Sequence, residues 1–185
     1  MKLFESQYVT PEGMCYNSYV ILDDKVADLD IQTICPLHGP VLEGDALSQA
    51  LRLYSIWSSY SVETDGVLVA HASIHGNTAK VAHRLGEMLK EKGAGRVVVA
   101  DLCREDMAEI VEDALRMNRL IVCASSYDGN VFPPMHYFLW KLGIKGYQDR
   151  TVGIVENGTW VPSAGKAMRF YPTDLRLIFS SSEIK

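Results

Sequence analysis

Beyond about residue 62 the chain alternates between two hydrophobic periods. Runs apolar on both faces recur at about 66–72, 96–100, 119–124 and 151–156, each rich in Val, Ile, Leu or Ala. Such runs predict buried strands of a parallel sheet covered by helices. Between them, apolar residues recur at helical spacing near 77–92, 105–117 and 134–142. The first helix is expected to bury Val81, Ala82, Leu85, Met88 and Leu89. The second carries Met107, Ile110, Val111, Ala114 and Leu115, with Glu105 and Asp106 suited to its positive end. The third follows Pro133-Pro134 and buries Met135, Phe138, Leu139 and Leu142. Strands alternating with helices at this spacing predict an α/β doubly wound parallel sheet.

The first 61 residues follow another rhythm. Residues 7–10 and 16–31 read as short strands around the turns Pro11-Glu12-Gly13 and Asp23-Asp24-Lys25. They are too few to make a stable sheet alone. A helix from about 45 to 58 follows, with Asp45 as its expected N-cap and Leu47, Leu51, Tyr54 and Trp57 as an apolar stripe. The domain boundary is therefore placed between 1–61 and 62–185.

Charge sharpens that division. Residues 1–61 hold three Lys/Arg and eight Asp/Glu, whereas residues 62–185 hold fifteen of each, so the whole net charge of −5 belongs to the first segment. No basic stretch suggests a nucleic-acid surface. Hydrophobic content of 48% and charged content of 22% fit a globular protein. No apolar run reaches the roughly 18–20 residues of a membrane span, and Glu5 comes too early for a secretory leader. Cys15, Cys35, Cys103 and Cys123 form no C-x-x-C pair, consistent with reduced thiols in a cytoplasmic protein.

The candidate chemistry lies where strands end. Ser73-Ile74-His75-Gly76-Asn77-Thr78 joins the first parallel strand to its helix. A helix start offers unpaired N–H groups and the positive end of a dipole, which together attract an anion such as phosphate. Ser73, Asn77 and Thr78 add side-chain donors, and no Lys or Arg is present up to Thr78. The turn lacks G-x-x-x-x-G-K-[ST] and G-x-G-x-x-G, so a triphosphate or dinucleotide has no motif. An ordinary strand–helix turn uses the same residue types. In a doubly wound sheet of order 2-1-3-4-5, ligands bind at the carboxyl ends around strands 1 and 3. There the third and fourth strands run into Ser125-Ser126-Tyr127-Asp128-Gly129-Asn130 and Glu156-Asn157-Gly158-Thr159-Trp160. The second strand, placed away from the switch, ends in Asp101-Leu102-Cys103-Arg104 and lacks this character. Three such loops suit FMN: a phosphate pocket, glycines for close approach to the ring, and Tyr127 and Trp160 for stacking. Glu156, beside the ring loop, would oppose a negatively charged reduced flavin. Read blandly, Trp160 is a loop aromatic and Tyr127 a core filler.

Taken together, Ser73–Lys80, Asp101–Met107, Ser125–Gly129 and Glu156–Ala164 resemble the flavodoxin domain of flavodiiron proteins (A-type flavoproteins) over about residues 62–169. The resemblance implies a flavodoxin-like fold and an FMN-binding electron carrier. It assigns phosphate contacts to Ser73, Gly76, Asn77 and Thr78, and ring contacts to Tyr127, Gly129, Asn157, Gly158 and Trp160. It further implies a redox partner of rubredoxin or reductase type, and self-association.

The N-terminal part bears on the same family. Tyr8–Tyr19 resembles the opening hairpin of its metallo-β-lactamase-like iron domain, and Cys35–Leu42 resembles that domain's close, where His38 matches the last iron ligand. The two segments are almost adjacent here, and the H-x-E-x-D-H motif between them is missing. This reads as a hairpin and helix remnant left by a large internal deletion. A two-iron site needs several imidazoles and carboxylates, so diiron reduction of dioxygen or nitric oxide is not expected. His38 then reads as a turn residue or vestigial ligand. His75 either hydrogen-bonds near the phosphate or fills its loop. No metal site, general acid or nucleophile is indicated, and no pyridine-nucleotide motif supports a flavin reductase. Leu175–Phe179 is the candidate fifth strand, though its crossover is short of the dozen or so residues such a connection needs. The alternative to an electron carrier is a non-catalytic remnant or interaction module that dimerises without redox turnover.

Overall fold

The computed structural model describes residues 30–158 and 162–169 in full. It also gives the backbone course of Leu3–Val9, Cys15–Ile21 and residue 170. The two N-terminal turns, Thr159, Trp160 and the candidate fifth strand lie outside the described residues. The chain divides into two compact units, Met1–Ser59 and Tyr60–Lys185.

In the first unit, β1 (Leu3–Val9) and β2 (Cys15–Ile21) pair antiparallel as a two-stranded sheet, from Leu3 opposite Ile21 to Val9 opposite Cys15. An isolated bridge joins Ile34 and Leu42 around the exposed His38 turn. α1 (Gly44–Ser58) follows. Glu43, not Asp45, occupies its N-cap, and Asp45 sits in the first turn, where its charge still suits the dipole. Of the expected stripe, Leu47 is buried and Leu51 partly so, whereas Tyr54 and Trp57 are exposed.

The second unit is built on β3 (Thr64–Ala72), β4 (Arg96–Asp101), β5 (Met117–Tyr127) and β7 (Thr151–Asn157). β3 pairs parallel with β4 and β5, and β5 pairs parallel with β7. The spatial order is therefore β4-β3-β5-β7, the 2-1-3-4 part of the expected sheet. α2 (Asn77–Glu91), α3 (Met107–Arg116), α4 (Pro133–Ile144) and α5 (Ala164–Phe170) complete the alternation. The short β6 (Asn130–Val131) folds back on the end of β5. Its turn takes Asp128 and Gly129 at φ 48° and 70°, the two left-handed positions of a tight hairpin.

Alternate residues of the strands feed two cores. Leu68, Ala70, Ala72, Leu120, Val122 and Ala124 pack with α3, α4 and the start of α5, around Phe138, which is fully buried. Val67, Val69 and Cys123 face α2 through Ala82, Leu85 and Leu89. α4 buries Met135, Phe138, Leu139 and Leu142 as its spacing predicts.

α2 keeps part of its expected face: Ala82, Leu85 and Leu89 pack on the sheet, whereas Val81 and Met88 are 41% and 39% exposed and Thr78 and Gly86 are buried in addition. Gly86 allows the close approach: a Cβ there would stand 2.5 Å from Val99 Cγ2. The helix lies on the sheet where its side is bare. α3 also begins later than expected. Asp106 is its N-cap and accepts from the Ala108 N–H at 2.7 Å, while Glu105, ahead of the helix, accepts from the Asp101 N–H at 2.7 Å.

Candidate functional site

The carboxyl ends of β3, β5 and β7 enclose a cavity of about 420 Å³. Its walls are Ser73, Ile74, His75, Asn77 and Thr78 from the first loop, Ser125–Gly129 from the second, and Asn157, Gly158 and Ser163 around the third. The end of β4 is not among these walls.

The first wall is a helix start without a side-chain cap. Gly76 occupies the N-cap of α2 at φ 83°, a left-handed conformation that favours glycine. The first intrahelical bond runs from the Lys80 N–H to the Gly76 carbonyl at 3.0 Å. The N–H groups of Asn77, Thr78 and Ala79 precede it and have no acceptor within the helix. Beside them Ser73 Oγ is buried without a hydrogen-bond partner. A buried hydroxyl left unpaired costs on the order of 1–3 kcal/mol, and this one is available to a group from outside the chain.

Thr78 ties the three walls together. It is buried, its hydroxyl lies 3.0 Å from Ser125 Oγ, and Asn157 Nδ2 donates to it at 3.5 Å. One side chain each from the first, second and third loops therefore meets at one point. Tyr127 is 42% exposed on the second wall, its ring tilted against Phe132 at 5.6 Å. It is not a core filler. His75 lines the cavity and is exposed.

Two expected residues stand elsewhere. Gly76 shapes the first turn but is not a wall. Glu156 points its carboxylate at the first turn of α5, where Oε2 accepts from the Gly165 N–H at 2.7 Å. Ser163 is a wall that was not expected, although a serine just ahead of Ala164-Gly165-Lys166-Ala167 carries the signature of an N-cap. Cys103 is exposed next to the Ser73 backbone, and burial of its sulfur raises its thiol, partly offset by a hydrogen bond from that backbone. Burial pushes Cys123 up to about 12. Neither is a ready thiolate at neutral pH. Among the described residues, no group of three or more His, Cys, Asp and Glu could hold a metal ion, and no helix is long and apolar enough to cross a membrane.

A flavo di-iron protein variant from Thermotoga maritima matches with a TM-score of 0.71 and 25% identity, over 85% of this chain and 40% of that one. The chain resembles the flavodiiron proteins over its flavodoxin-like part. Coenzyme F420H2 oxidase of Methanothermobacter marburgensis is 29% identical over 116 residues, 62% of this chain and 28% of that protein. An uncharacterized protein of Methanocaldococcus jannaschii is 33% identical over 112 residues, again 28% of the relative's length. No protein-family model matches. The flavodoxin-like unit thus spans less than a third of the curated relatives it matches. Its fold and strand order are those of its flavodiiron neighbours.

Proposed function

We propose that the unit from Tyr60 onward binds FMN in the cavity at the strand ends and serves as an electron-transfer module. The observation that carries this reading is the first loop. Ser73 Oγ is buried and unpaired, beside a helix start whose first N–H groups have no internal acceptor. Those groups fit a phosphate held by dipoles instead of by cations. Ser73, Asn77 and Thr78 would hold the phosphate, with Ser125 and Asn157 fixing the Thr78 hydroxyl. Tyr127 offers an aromatic face, and the Asp128-Gly129 turn and Gly158 bring backbone to the ring edge. Trp160 is assigned to the other face by resemblance alone. Bound FMN supplies reversible electron uptake, and the protein sets its potential through neighbouring dipoles and stacking.

Residues 1–61 are proposed to be the remnant of an iron domain without its metal site, since the H-x-E-x-D-H motif is missing between Tyr8–Tyr19 and Cys35–Leu42. Oxygen or nitric oxide reduction at two irons is therefore not assigned, and electrons would pass to a separate redox protein, of rubredoxin or reductase type, in the cytoplasm. The test is flavin content. The purified chain should carry, or take up from solution, one yellow FMN per polypeptide with fluorescence quenched on binding. A colourless protein that leaves added FMN fluorescent overturns the reading.

One observation favours a second reading. The β1–β2 sheet has two strands and neither outer edge is paired among the described residues, which is a template for another chain. A flavin-free dimer in light scattering, lost on deleting residues 1–31, would make the chain an interaction module.

A further inference from the structure

The first turn of α5 is held from outside. Ser163 is its N-cap, since the Ala167 N–H donates to the Ser163 carbonyl at 3.1 Å. An N-cap serine ordinarily accepts from the N–H groups of its own first turn. Here Ser163 Oγ instead donates to the Asn130 carbonyl at 3.0 Å. The first-turn donors go to two other elements. Ser126 Oγ, at the end of β5, accepts from the Ser163 and Ala164 N–H groups at 2.9 and 3.2 Å. Glu156 Oε2, at the end of β7, accepts from the Gly165 N–H at 2.7 Å.

Glycine makes both approaches possible. A Cβ at Gly165 would stand 2.8–2.9 Å from the Glu156 carboxylate, and one at Gly158 would stand 3.0 Å from Ser126 Oγ. Both pegs act on the third wall of the cavity, because Gly158 and Ser163 line it at either end of residues 159–161. Neither Glu156 nor Gly165 lines the cavity itself.

We propose that Glu156 is a positioning residue, which with Ser126 pins the start of α5 and thereby fixes the Ser163 wall of the site. Its carboxylate is engaged by a backbone donor at a helix start, where a negative charge is stabilised, and does not act as a charge against the bound ring. The proposal rests on the FMN reading for the identity of the ligand, and the tests separate the two.

The experiment uses the full chain, FMN as probe, and three variants: E156Q, E156A and G165A. Glutamine keeps an oxygen acceptor and removes the charge, alanine removes the acceptor, and G165A displaces the carboxylate from the other side. E156A and G165A are expected to weaken FMN binding about tenfold, the effect of one lost charge-assisted hydrogen bond. Amide exchange at position 165 should accelerate in both. E156Q should keep affinity, amide protection and the flavin midpoint potential of the parent chain. Wild-type affinity in both E156A and G165A overturns the proposal. So does an E156Q potential shifted as far as that of E156A, which would make the charge the active element. Should the parent chain bind no FMN, the function falls. Amide exchange in the flavin-free chain then decides the peg: acceleration at Gly165 in E156A but not in E156Q upholds it, and unchanged protection in E156A overturns it.

Discussion

The two ends of the parallel sheet are built on opposite terms. At the amino ends of the strands, charged side chains are tied to backbone carbonyls and to one another, although the Tyr147 hydroxyl there is buried without a partner. Arg150 is only 6% exposed, and its guanidinium donates to the backbone carbonyls of Met117, Tyr60, Ser61 and Leu115 at 2.8–2.9 Å. Asp65 accepts from both Asn118 and Arg119 at 2.7 Å, contacts that hold its carboxyl below the usual range. At the carboxyl ends the sheet leaves Ser73 Oγ and His71 Nδ1 buried and unpaired, and α2 begins on a glycine. One end ties the chain down. The other leaves polar groups without internal partners where FMN is proposed to bind, each at a cost of about 1–3 kcal/mol.

Removing the tie at the amino end should give the largest effect. Arg150→Met keeps the length and the apolar stem but strands four carbonyls that share one guanidinium. The expected loss is about 3–5 kcal/mol of unfolding free energy by urea titration, since several buried acceptors lose their donor together. FMN affinity, measured well below the new melting temperature, should stay unchanged. If binding falls in step with stability, the two ends are not independent and the contrast fails.

The opposite change is a substitution at the binding end. Asn77 is exposed, so Asn77→Glu should leave the fold within about 0.5 kcal/mol of the parent. A carboxylate at the start of α2 would satisfy the dipole that the phosphate is proposed to use and would repel the phosphate itself. Affinity for FMN should drop about 100-fold, roughly 2.7 kcal/mol, with riboflavin binding far less affected. Equal losses for FMN and riboflavin would remove the phosphate from this loop.

These contrasts also mark where the sequence could be read. The both-face apolar runs and the loops that follow them are local patterns, so the sheet order and three cavity walls were legible. So was the α4 core, where Met135, Phe138, Leu139 and Leu142 fall at helical spacing. What was missed depends on contacts between distant residues. The close approach of α2 depends on Gly86 meeting Val99, and a glycine in a helical pattern gives no sign of what it will touch. Arg150, next to a strand, carries no local sign of its partners, four of which lie 33 to 90 residues away. Glu156 heads a stretch of ring-contacting character but, at the end of β7, bonds the backbone nine residues on. Asp106 and Glu105 show the limit of boundary reading, since one residue separates a cap from a turn stabiliser.

The smallest expected effect is a pH dependence that belongs to the carboxyl end. His71, the second-last residue of β3, is 1% exposed and its Nδ1 has no partner. Burial pushes its pKa below the ordinary value. The charges of Asp101 and Glu105 oppose that shift, and His83, edge-on at 5.5 Å, adds to it. Cys123, its register neighbour on β5, is a neutral thiol. A folded value below the unfolded one means that folding favours the neutral ring. The full stability is then present above about pH 6.5, the unfolded value, and is lost as the pH falls from there toward the depressed folded value. Urea midpoints should therefore hold steady from pH 8 to 7 and decline below 6.5. In His71→Gln, the part of the decline between pH 6.5 and 5.5 should disappear even if the whole curve lies lower. An unchanged slope in that variant would move the acid sensitivity away from the carboxyl end of the sheet and leave the unpaired Nδ1 without thermodynamic consequence.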